Sequence, residues 1–370
     1  MSAGDLPVLF VSPHAKPGGA ERYLESLLEE LGDGWVAGVV ALEDGPLVER
    51  LRASGRDVGV VATGPGPRDM ARAARALRRE LRRTRPAAIH ANGVKAALVS
   101  IAGAAGLRVP VVWVKHDHSF DGTLATVAAF GSRVVVGVSR SVVAALPGAV
   151  RSRVRVVPNG IRRPDVRPDA GRRALRRLIG APADAPVVGL VGRLHPVKGQ
   201  EDLLRAAPEV LAAVPNARFA FLGAPDERFP DHRGALERLA VELGVAPSTA
   251  WLGYHAAPFE LMSGFDVAVM PSKAFRGRPS EGFPMSAAEL LSLGVPVVAY
   301  RRGGIPDALG ICGALVPPDD VTALARAIVD LLCDEAARAR LRACGLARSE
   351  ELDISVLAER MRAVYREAAR

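Results

Sequence analysis

The sequence predicts an α/β protein with two doubly wound, parallel-sheet domains of the Rossmann type. Its 370 residues exceed what one hydrophobic core usually holds, so two domains are expected. Short apolar segments alternate with helical patterns along the chain, which is typical of parallel β-α-β units. This alternation stops once, in the proline- and charge-rich residues 162–168, which we interpret as an interdomain linker.

The predicted elements follow this alternation in both halves. In the first half, strands are predicted at residues 8–11, 36–41, 58–61, 88–90, 111–115 and 134–138, and helices at residues 20–31, 46–54, 69–84 and 96–105. In the second half, strands are predicted at residues 187–191, 218–222, 250–252, 266–270 and 295–299, and helices at residues 200–214, 234–243, 284–293 and 321–333. The expected domains are residues 1–163 and 164–352, followed by a final helical segment, residues 353–370.

Composition and cysteine spacing indicate a soluble protein of the cytoplasm. No segment reaches the roughly 18 apolar residues that a membrane span requires. Residues 1–7 lack the basic and apolar regions of a signal peptide. Cys312, Cys333 and Cys344 show no CxxC spacing and no nearby histidine, so neither a disulfide framework nor a zinc site is expected.

The formal net charge of +9 raises the question of nucleic-acid binding. Only five of the 49 basic residues are lysines, and we interpret the charge as part of a general arginine bias. Aromatic residues, on which bases stack, make up only 5% of the chain, and no nucleic-acid-binding module is present. No nucleic-acid partner is therefore expected.

The first segment with a chemical signature is PHAKPGGAE at residues 13–21, between the first strand and the first helix. Gly18 and Gly19 let backbone N–H groups approach an anion, and the helix dipole favours negative charge at that end. The segment differs from the GxGxxG nicotinamide fingerprint, and the GPGP segment at residues 64–67 has prolines where donors would be needed. An anion site and a plain tight turn both remain open from these residues alone.

The second segment is VGRLHPVKG at residues 191–199, where a buried strand leads into a glycine turn and then a helix. Arg193 offers a planar fork for phosphate oxygens, and Lys198 offers a compact point charge. Five residues apart on one turn, the two side chains can converge on a diphosphate. A solvated basic loop is the alternative interpretation.

The third segment is EGFPMSAAE at residues 281–289. Pro284 suits the first turn of a helix, which leaves Glu281 in the preceding loop and Glu289 inside the helix. The first-turn N–H groups, around Met285 and Ser286, face the carboxyl edge of the sheet, where such folds bind ligands. A carboxylate deeper in the helix can accept two hydrogen bonds from a ribose diol.

The fourth segment is VWVKHDH at residues 112–118, a strand that ends in a polar cluster. His116, Asp117 and His118 could form part of a metal site, but further ligand candidates are scattered along the sequence. We expect His116 to make a polar contact in a ligand cleft, with a structural histidine as the alternative.

Together these segments resemble the GT4 family of retaining glycosyltransferases, which have the GT-B fold. The VGRL…KG segment and the Glu-x7-Glu segment look like the family's most specific signatures, and VPNGI at residues 157–161 and PVVAYRRGGIP at residues 296–306 are also similar to it. The resemblance runs from the glycine loop to the C-terminal helix. It implies two Rossmann-like domains facing a cleft, with the acceptor mainly on the first, the nucleotide on the second, and a final helix that crosses back.

The resemblance also implies roles for residues of the second half. Arg193 and Lys198 are expected to neutralise the diphosphate as it leaves, and Glu289 to bind the ribose hydroxyls. Glu281 and the helix entrance are expected to hold the donor sugar and its phosphate. That entrance comprises Phe283, Pro284, Met285 and Ser286. Tyr254 is expected to lie near the nucleobase.

In the first half, the resemblance implies that Gly18 and Gly19 close over the donor and that His116 contacts the transferred sugar. It implies no metal, because the two basic side chains replace it, and no cofactor, because the nucleotide sugar is a co-substrate. A UDP-sugar is the favoured donor and a GDP-sugar the next. The acceptor is expected to be a hydroxyl of a small molecule, natural product, glycan or lipid.

Several alternatives remain beside this interpretation. Retention fits same-face attack assisted by the leaving phosphate, whereas double displacement would need a nucleophile that the sequence does not identify. Another GT-B enzyme, such as a nucleotide-sugar epimerase or a phosphorylase, is possible in principle, although a phosphorylase needs a pyridoxal lysine in a much longer chain. A catalytically idle nucleotide-sugar-binding protein is the alternative from a different class.

A strongly basic helix is predicted within residues 68–85. Eight arginines against Asp69 and Glu80 give this segment a charge of +6, most of the chain's +9. Such a helix could attract an anionic membrane surface. Its alanine-rich apolar stripe is expected to face the sheet, which leaves little to insert into lipid. We therefore expect no membrane span and at most weak, salt-sensitive peripheral binding.

Overall fold

The computed structural model describes residues 6–16, 18–64, 66–275, 277–279 and 281–370. The chain divides into two compact units, Met1–Arg162 with Leu352–Arg370, and Arg163–Glu351. Each unit is built on a parallel sheet with helices, which confirms the predicted fold class. Among the described residues, no helix is long and apolar enough to cross a lipid bilayer.

The first unit contains a seven-stranded sheet in the order β3-β2-β1-β4-β5-β6-β7. Its strands are β1 (Val8–Ser12), β2 (Val36–Ala41), β3 (Val58–Val60), β4 (Ala88–Asn92), β5 (Val111–Lys115), β6 (Val134–Gly137) and β7 (Val154–Val156). Neighbouring strands pair in parallel. The direction of winding reverses between β1 and β4, where an open α/β sheet forms a crevice at its carboxyl edge.

Helices connect these strands and cover the sheet. They are α1 (Gly19–Leu31), α2 (Pro46–Ala53), α3 (Pro67–Thr84), α4 (Val94–Ala104), α5 (Thr123–Gly131) and α6 (Arg140–Val143). α4 packs between α3 and α5, and all three contribute to one hydrophobic cluster that also contains the buried Trp113 of β5. The sequence patterns did not predict α5, α6 or β7.

The second unit contains a six-stranded parallel sheet and a short antiparallel pair. Its strands are β8 (Val187–Val191), β9 (Arg218–Leu222), β10 (Thr249–Gly253), β11 (Val267–Met270), β12 (Ala274–Phe275), β13 (Arg278–Pro279), β14 (Val297–Tyr300) and β15 (Ala314–Val316). The main sheet has the order β10-β9-β8-β11-β14-β15, so its winding reverses between β8 and β11. The loops that follow these two strands carry the candidate phosphate-binding residues.

The helices of the second unit are α7 (Pro168–Leu178), α8 (Gln200–Ala213), α9 (His232–Glu242), α10 (Phe259–Ser263), α11 (Met285–Ser292), α12 (Ile305–Leu309), α13 (Val321–Cys333) and α14 (Glu335–Glu351). The expectation of no disulfide is wrong, because Cys312 and Cys344 are bonded. They lie 32 residues apart without a recognisable motif, and α14, which the sequence did not predict, brings their Cα atoms to 5.2 Å. Cys333 is a free, exposed thiol.

The last helix, α15 (Ile354–Ala369), belongs to the first unit. It packs against α1, β4 and β5, and an isolated parallel bridge joins Asp353 to Ile161 just before it begins. The hydroxyl of Tyr365 lies 2.7 Å from Nδ1 of the buried His90. The helix therefore forms part of the core beneath the carboxyl end of β4.

Candidate functional site

The loop after β8 positions Arg193 and Lys198. Gly192 turns the chain at φ +153°, and Nδ1 of His195 accepts a hydrogen bond from the Val197 amide at 3.0 Å. Gly199 then caps the start of α8 at φ +70°, and a Cβ there would lie 2.0 Å from the carbonyl oxygen of Pro271. Glycine is required at this point because the loops after β8 and β11 touch.

Lys198 and Glu281 meet across these two loops. The Lys198 Nζ donates to Oε1 of Glu281 at 2.6 Å, and the Ser272 hydroxyl donates to the same oxygen at 3.0 Å. Burial raises the pKa of the Glu281 carboxyl, but the Lys198 ammonium, both hydrogen bonds and Arg193 together hold that pKa below its ordinary value. Glu281 is therefore a buried carboxylate at neutral pH, and it already engages the lysine.

Arg193 is held by a second carboxylate. Its Nη1 donates to Oδ2 of the buried Asp226 at 2.5 Å, and Nη2 of Arg228 donates to the same oxygen at 2.8 Å. The hydrogen bonds from Arg228 lower the pKa of Asp226 well below its usual range, against the effect of burial and with help from Arg193. Both guanidinium groups remain largely exposed to solvent. The buried Asp226 carboxylate therefore holds two arginines at the surface.

Asp226 and Arg228 were missed in the sequence. The signal was the Asp-Glu-Arg segment that follows β9, the strand beside β8. Arg193 directly precedes Leu194, which forms a parallel β-bridge with Pro225. This bridge joins the loop after β8 to the loop after β9. A third cation thus accompanies the two that the sequence identified.

The entrance of α11 follows Glu281 closely. Pro284 precedes the helix rather than forming its first residue, and Met285 and Ser286 begin it. Phe283 and Glu289 are buried. Gly304 donates to the carbonyl oxygen of Glu281 at 2.9 Å, and a Cβ on Gly303 would lie 2.4 Å from that oxygen. The family-like residues 303–304 therefore fix the backbone of Glu281 at the helix entrance.

In the first unit, Gly18 and Gly19 lie at the entrance of α1, as predicted, while Pro17 of the same loop lies outside the described residues. A Cβ on Gly18 would lie 2.4 Å from Oε2 of Glu21, whereas nothing lies within 4 Å of one on Gly19. Burial raises the pKa of the Glu21 carboxyl. The helix entrance thus already has an acidic group beside it.

His116 lies at the end of β5 and is fixed by Asn92 of β4. Its Nε2 lies 2.5 Å from Oδ1 of Asn92, whose Nδ2 donates to the Ala20 carbonyl at 3.2 Å. This arrangement places the imidazole proton on Nε2 and leaves Nδ1 as an acceptor, buried and without a partner among the described residues. Burial lowers the pKa of His116 to about 4, so the ring is neutral at neutral pH.

A cavity of about 170 Å³ lies beside His116 in the first unit. Its walls include Pro13, His14, Glu21, Asn92, Lys95, Lys115 and Asp117. Lys115 is buried and pairs with Asp121 at 2.7 Å. Among the described residues, no group of three or more His, Cys, Asp or Glu side chains is placed to hold a metal ion.

The structure therefore brings together Arg193, Lys198, Glu281 and the entrance of α11 in the second unit. In the first unit it brings His116 and the loop before α1 to one cavity. Tyr254 follows β10 and is exposed, and no hydrogen bond or ring contact described in this structure ties it to the Arg193 loop. Its role at the nucleobase stays a prediction.

Two family profiles match the chain. The profile described as Glycosyltransferase Family 4 matches residues 17–163, and that described as Glycosyl transferases group 1 matches residues 185–334. Among curated proteins, the D-inositol 3-phosphate glycosyltransferase of Acidothermus cellulolyticus is 36% identical over 235 residues, which is 60% of this chain and 50% of the relative. Its counterpart in Mycobacterium tuberculosis strain H37Ra is 37% identical over 194 residues, 51% of this chain and 38% of the relative. The matched segment thus spans half or less of these relatives.

Solved structures of similar fold cover nearly the whole chain. HepE from Anabaena, solved with UDP, matches with a TM-score of 0.81 at 23% identity, over 96% of this chain and 98% of its own. A glycosyltransferase from Rickettsia africae matches with a TM-score of 0.83 at 17% identity, over 98% of both chains. At these identities the likeness shows the fold, the two Rossmann-like units of the GT-B class.

Proposed function

Because the chain belongs to glycosyltransferase family 4, we propose that it is a retaining glycosyltransferase that moves a sugar from a nucleoside diphosphate to a hydroxyl of an acceptor. The observation that carries this proposal is the group formed by Arg193, Lys198, Glu281 and the entrance of α11. Two cations and a helix N-terminus at one sheet edge form a site for a diphosphate, which carries about two negative charges or more.

The ion pair between Lys198 and Glu281 can be exchanged for contacts with the donor when the donor binds. A diphosphate oxygen would replace the Glu281 carboxylate on the lysine, and the released carboxylate could accept hydrogen bonds from sugar hydroxyls. Arg193 and Lys198 would then stabilise the charge that develops on the departing diphosphate. Fixed charges aimed at developing charge usually contribute more to catalysis than any other single effect. Glu289, inside α11, would bind the ribose.

His116 would contribute through its bare Nδ1. A neutral imidazole that is fixed by Asn92 accepts a hydrogen bond from a sugar hydroxyl but cannot donate one at this nitrogen. The group suits recognition and positioning of a sugar hydroxyl. Its low pKa argues against general acid catalysis at neutral pH.

The proposed reaction breaks the bond between the anomeric carbon and the diphosphate oxygen and forms a bond from that carbon to the acceptor oxygen on the same face. The acceptor proton passes to the departing phosphate oxygen, so protons and charge balance without an added base. Double displacement would require a carboxylate nucleophile, and Glu281, the buried acid of this group, is engaged by Lys198 and Ser272.

A uridine nucleotide is the first donor to test, because HepE, which shares the fold, was solved with UDP and with UDP-glucose. The names of the curated relatives make inositol phosphate the first acceptor to test. We expect both substrates to be met in the cytoplasm. Other hydroxyl acceptors, including glycans and lipids, should be tested in the same transfer assays.

The test begins with thermal shift against UDP, GDP, ADP and dTDP, followed by transfer assays with the matching sugar donors. Nuclear magnetic resonance of the product should show the anomeric configuration of the donor retained. Activity should persist in excess EDTA, because Arg193 and Lys198 replace a metal. Inversion at the anomeric carbon, or conversion of the donor to an epimer without an acceptor, would refute the proposal.

A further inference from the structure

An apolar patch covers the outer face of α5. It comprises Leu124, Val127 and Phe130 of the helix and Phe120 of the turn just before it, whose exposed fractions are 44%, 50%, 51% and 58%. Spacings of three residues place Leu124, Val127 and Phe130 along one side of α5, while its alanines face the core. Single exposed apolar residues are ordinary, but three on one helix face, with a fourth in the turn just before the helix, indicate an interaction surface.

A basic groove adjoins this α5 patch. The groove has a volume of about 620 Å³, and its walls include Phe130 together with Arg108, Arg133 and Arg153. Nη1 of Arg153 donates to the carbonyl of Phe130 at 3.3 Å, which joins the groove to the helix. None of the described residues that line the groove has an acidic side chain. The apolar surface therefore has positive charge directly beside it.

The arginines of α3 extend this positive charge. Ala73, Leu77 and Leu81 of α3 are buried, as the sequence predicted, and its outer face carries the arginines. Nη1 of Arg78 donates at 2.5 Å to the carbonyl of Ala105, which lines the groove. The basic face of α3 thus reaches the rim of the same groove.

We propose that the α5 patch and the arginines beside it bind the surface of a membrane that contains anionic lipid. Apolar side chains with flanking arginines match the interfacial zone of such a membrane, where the rings enter the acyl boundary and the guanidinium groups contact phosphates. The sequence suggested only weak binding because α3 has no free apolar face, and α5 supplies that face. A second copy of this chain is disfavoured, because a symmetric contact would bring like arginines together.

Sedimentation of the full chain with vesicles tests this proposal. The vesicles contain phosphatidylcholine alone or phosphatidylcholine with phosphatidylglycerol, at low and physiological salt. The wild type should bind only the anionic vesicles, and less at higher salt. Leu124→Ser with Phe130→Ser should weaken binding by roughly tenfold or more, from lost apolar burial. Arg108→Gln with Arg133→Gln should weaken it by roughly tenfold, from lost charge.

The matched control is Val241→Ser with Arg238→Gln, which removes one exposed valine and one exposed arginine from α9 of the second unit. This variant should bind vesicles as the wild type does. Circular dichroism melts show whether each variant folds, so that lost binding is not lost structure. Absence of binding to anionic vesicles at low salt, equal binding to both vesicle types, or unchanged binding by both patch variants would overturn the proposal. So would light scattering that shows a dimer dissociated by Phe130→Ser.

Discussion

The Nζ of Lys198 lies 2.6 Å from Oε1 of Glu281, so the lysine proposed for the diphosphate is already held by a buried carboxylate. This pairing keeps the ammonium in one place before a donor binds, which reduces the reorganisation that catalysis requires. Because the two side chains contact each other, replacing either one also changes the other, and a turnover assay alone does not separate their roles. Lys198 should matter for the departing charge, and Glu281 should matter for both the lysine and the sugar.

The first prediction concerns the two cations. Lys198→Ala and Arg193→Ala should each lower turnover by about a hundred- to a thousandfold, because each contacts charge worth roughly 2–4 kcal/mol in the transition state. Steady-state transfer assays measure the effect. Arg326→Ala, on the exposed side of α13, should leave turnover unchanged. Activity of Lys198→Ala near that of the wild type would remove the diphosphate assignment.

The second prediction separates Glu289 from Glu281 by the affinity of the bare nucleoside diphosphate. Glu289→Ala should weaken this affinity by roughly ten- to a hundredfold, because hydrogen bonds to a charged group contribute about 1.5–3 kcal/mol. Glu281→Ala should leave it unchanged or raise it, because the variant frees Lys198, while transfer falls. Isothermal titration calorimetry measures both, and equal losses in the two variants would contradict these roles.

The third prediction concerns Asp226, which holds Arg193 and Arg228 together. Asp226→Asn keeps the shape but removes the charge, so Arg193 should become mobile and kcat should fall by about tenfold or more. Arg228→Gln, which leaves Arg193 bound to Asp226, should have the smaller effect on kcat. A fall in thermal stability with unchanged kcat would show that Asp226 is structural only.

The strands were predictable from sequence because parallel strands are buried on both faces and appear as apolar runs. β1 and β8 are examples, with nearly all their residues buried. α14 was missed because only Gly345 and Ser349 of its residues are buried, which leaves no apolar stripe to detect. α5 was missed because its outer face is apolar as well, so the contrast between faces disappears.

The candidate site was predictable residue by residue but not in its pairings. Lys198 and Glu281 lie 83 positions apart, and they meet only because β8 and β11 are neighbours in the sheet. Asp226 lies 33 positions after Arg193 and reaches it because β9 flanks β8 on the other side. Strand order, which local patterns do not contain, decides which carboxylate each cation meets.

The last prediction concerns pH and the two buried histidines of the first unit. Burial lowers the pKa of His116 to about 4 and that of His90 to about 3, below the ordinary value of about 6.5. Above that ordinary value both histidines are neutral in the folded and in the unfolded protein, so they do not lower the free energy of unfolding. As the pH falls below about 6.5, the two histidines become protonated in the unfolded chain but stay neutral in the folded chain. The free energy of unfolding therefore declines until the pH reaches the folded pKa values.

Urea unfolding between about pH 7.5 and about pH 4.5 measures this decline across the range that these pKa values define. The midpoint for the wild type should fall steadily with pH, and His116→Gln should show a shallower fall because glutamine does not titrate. Carboxylates also titrate in this range, so the difference in slope between the two proteins is the informative quantity. Identical slopes would mean that His116 is accessible to protons in the folded state, and its assignment as a neutral acceptor for a sugar hydroxyl would then be wrong.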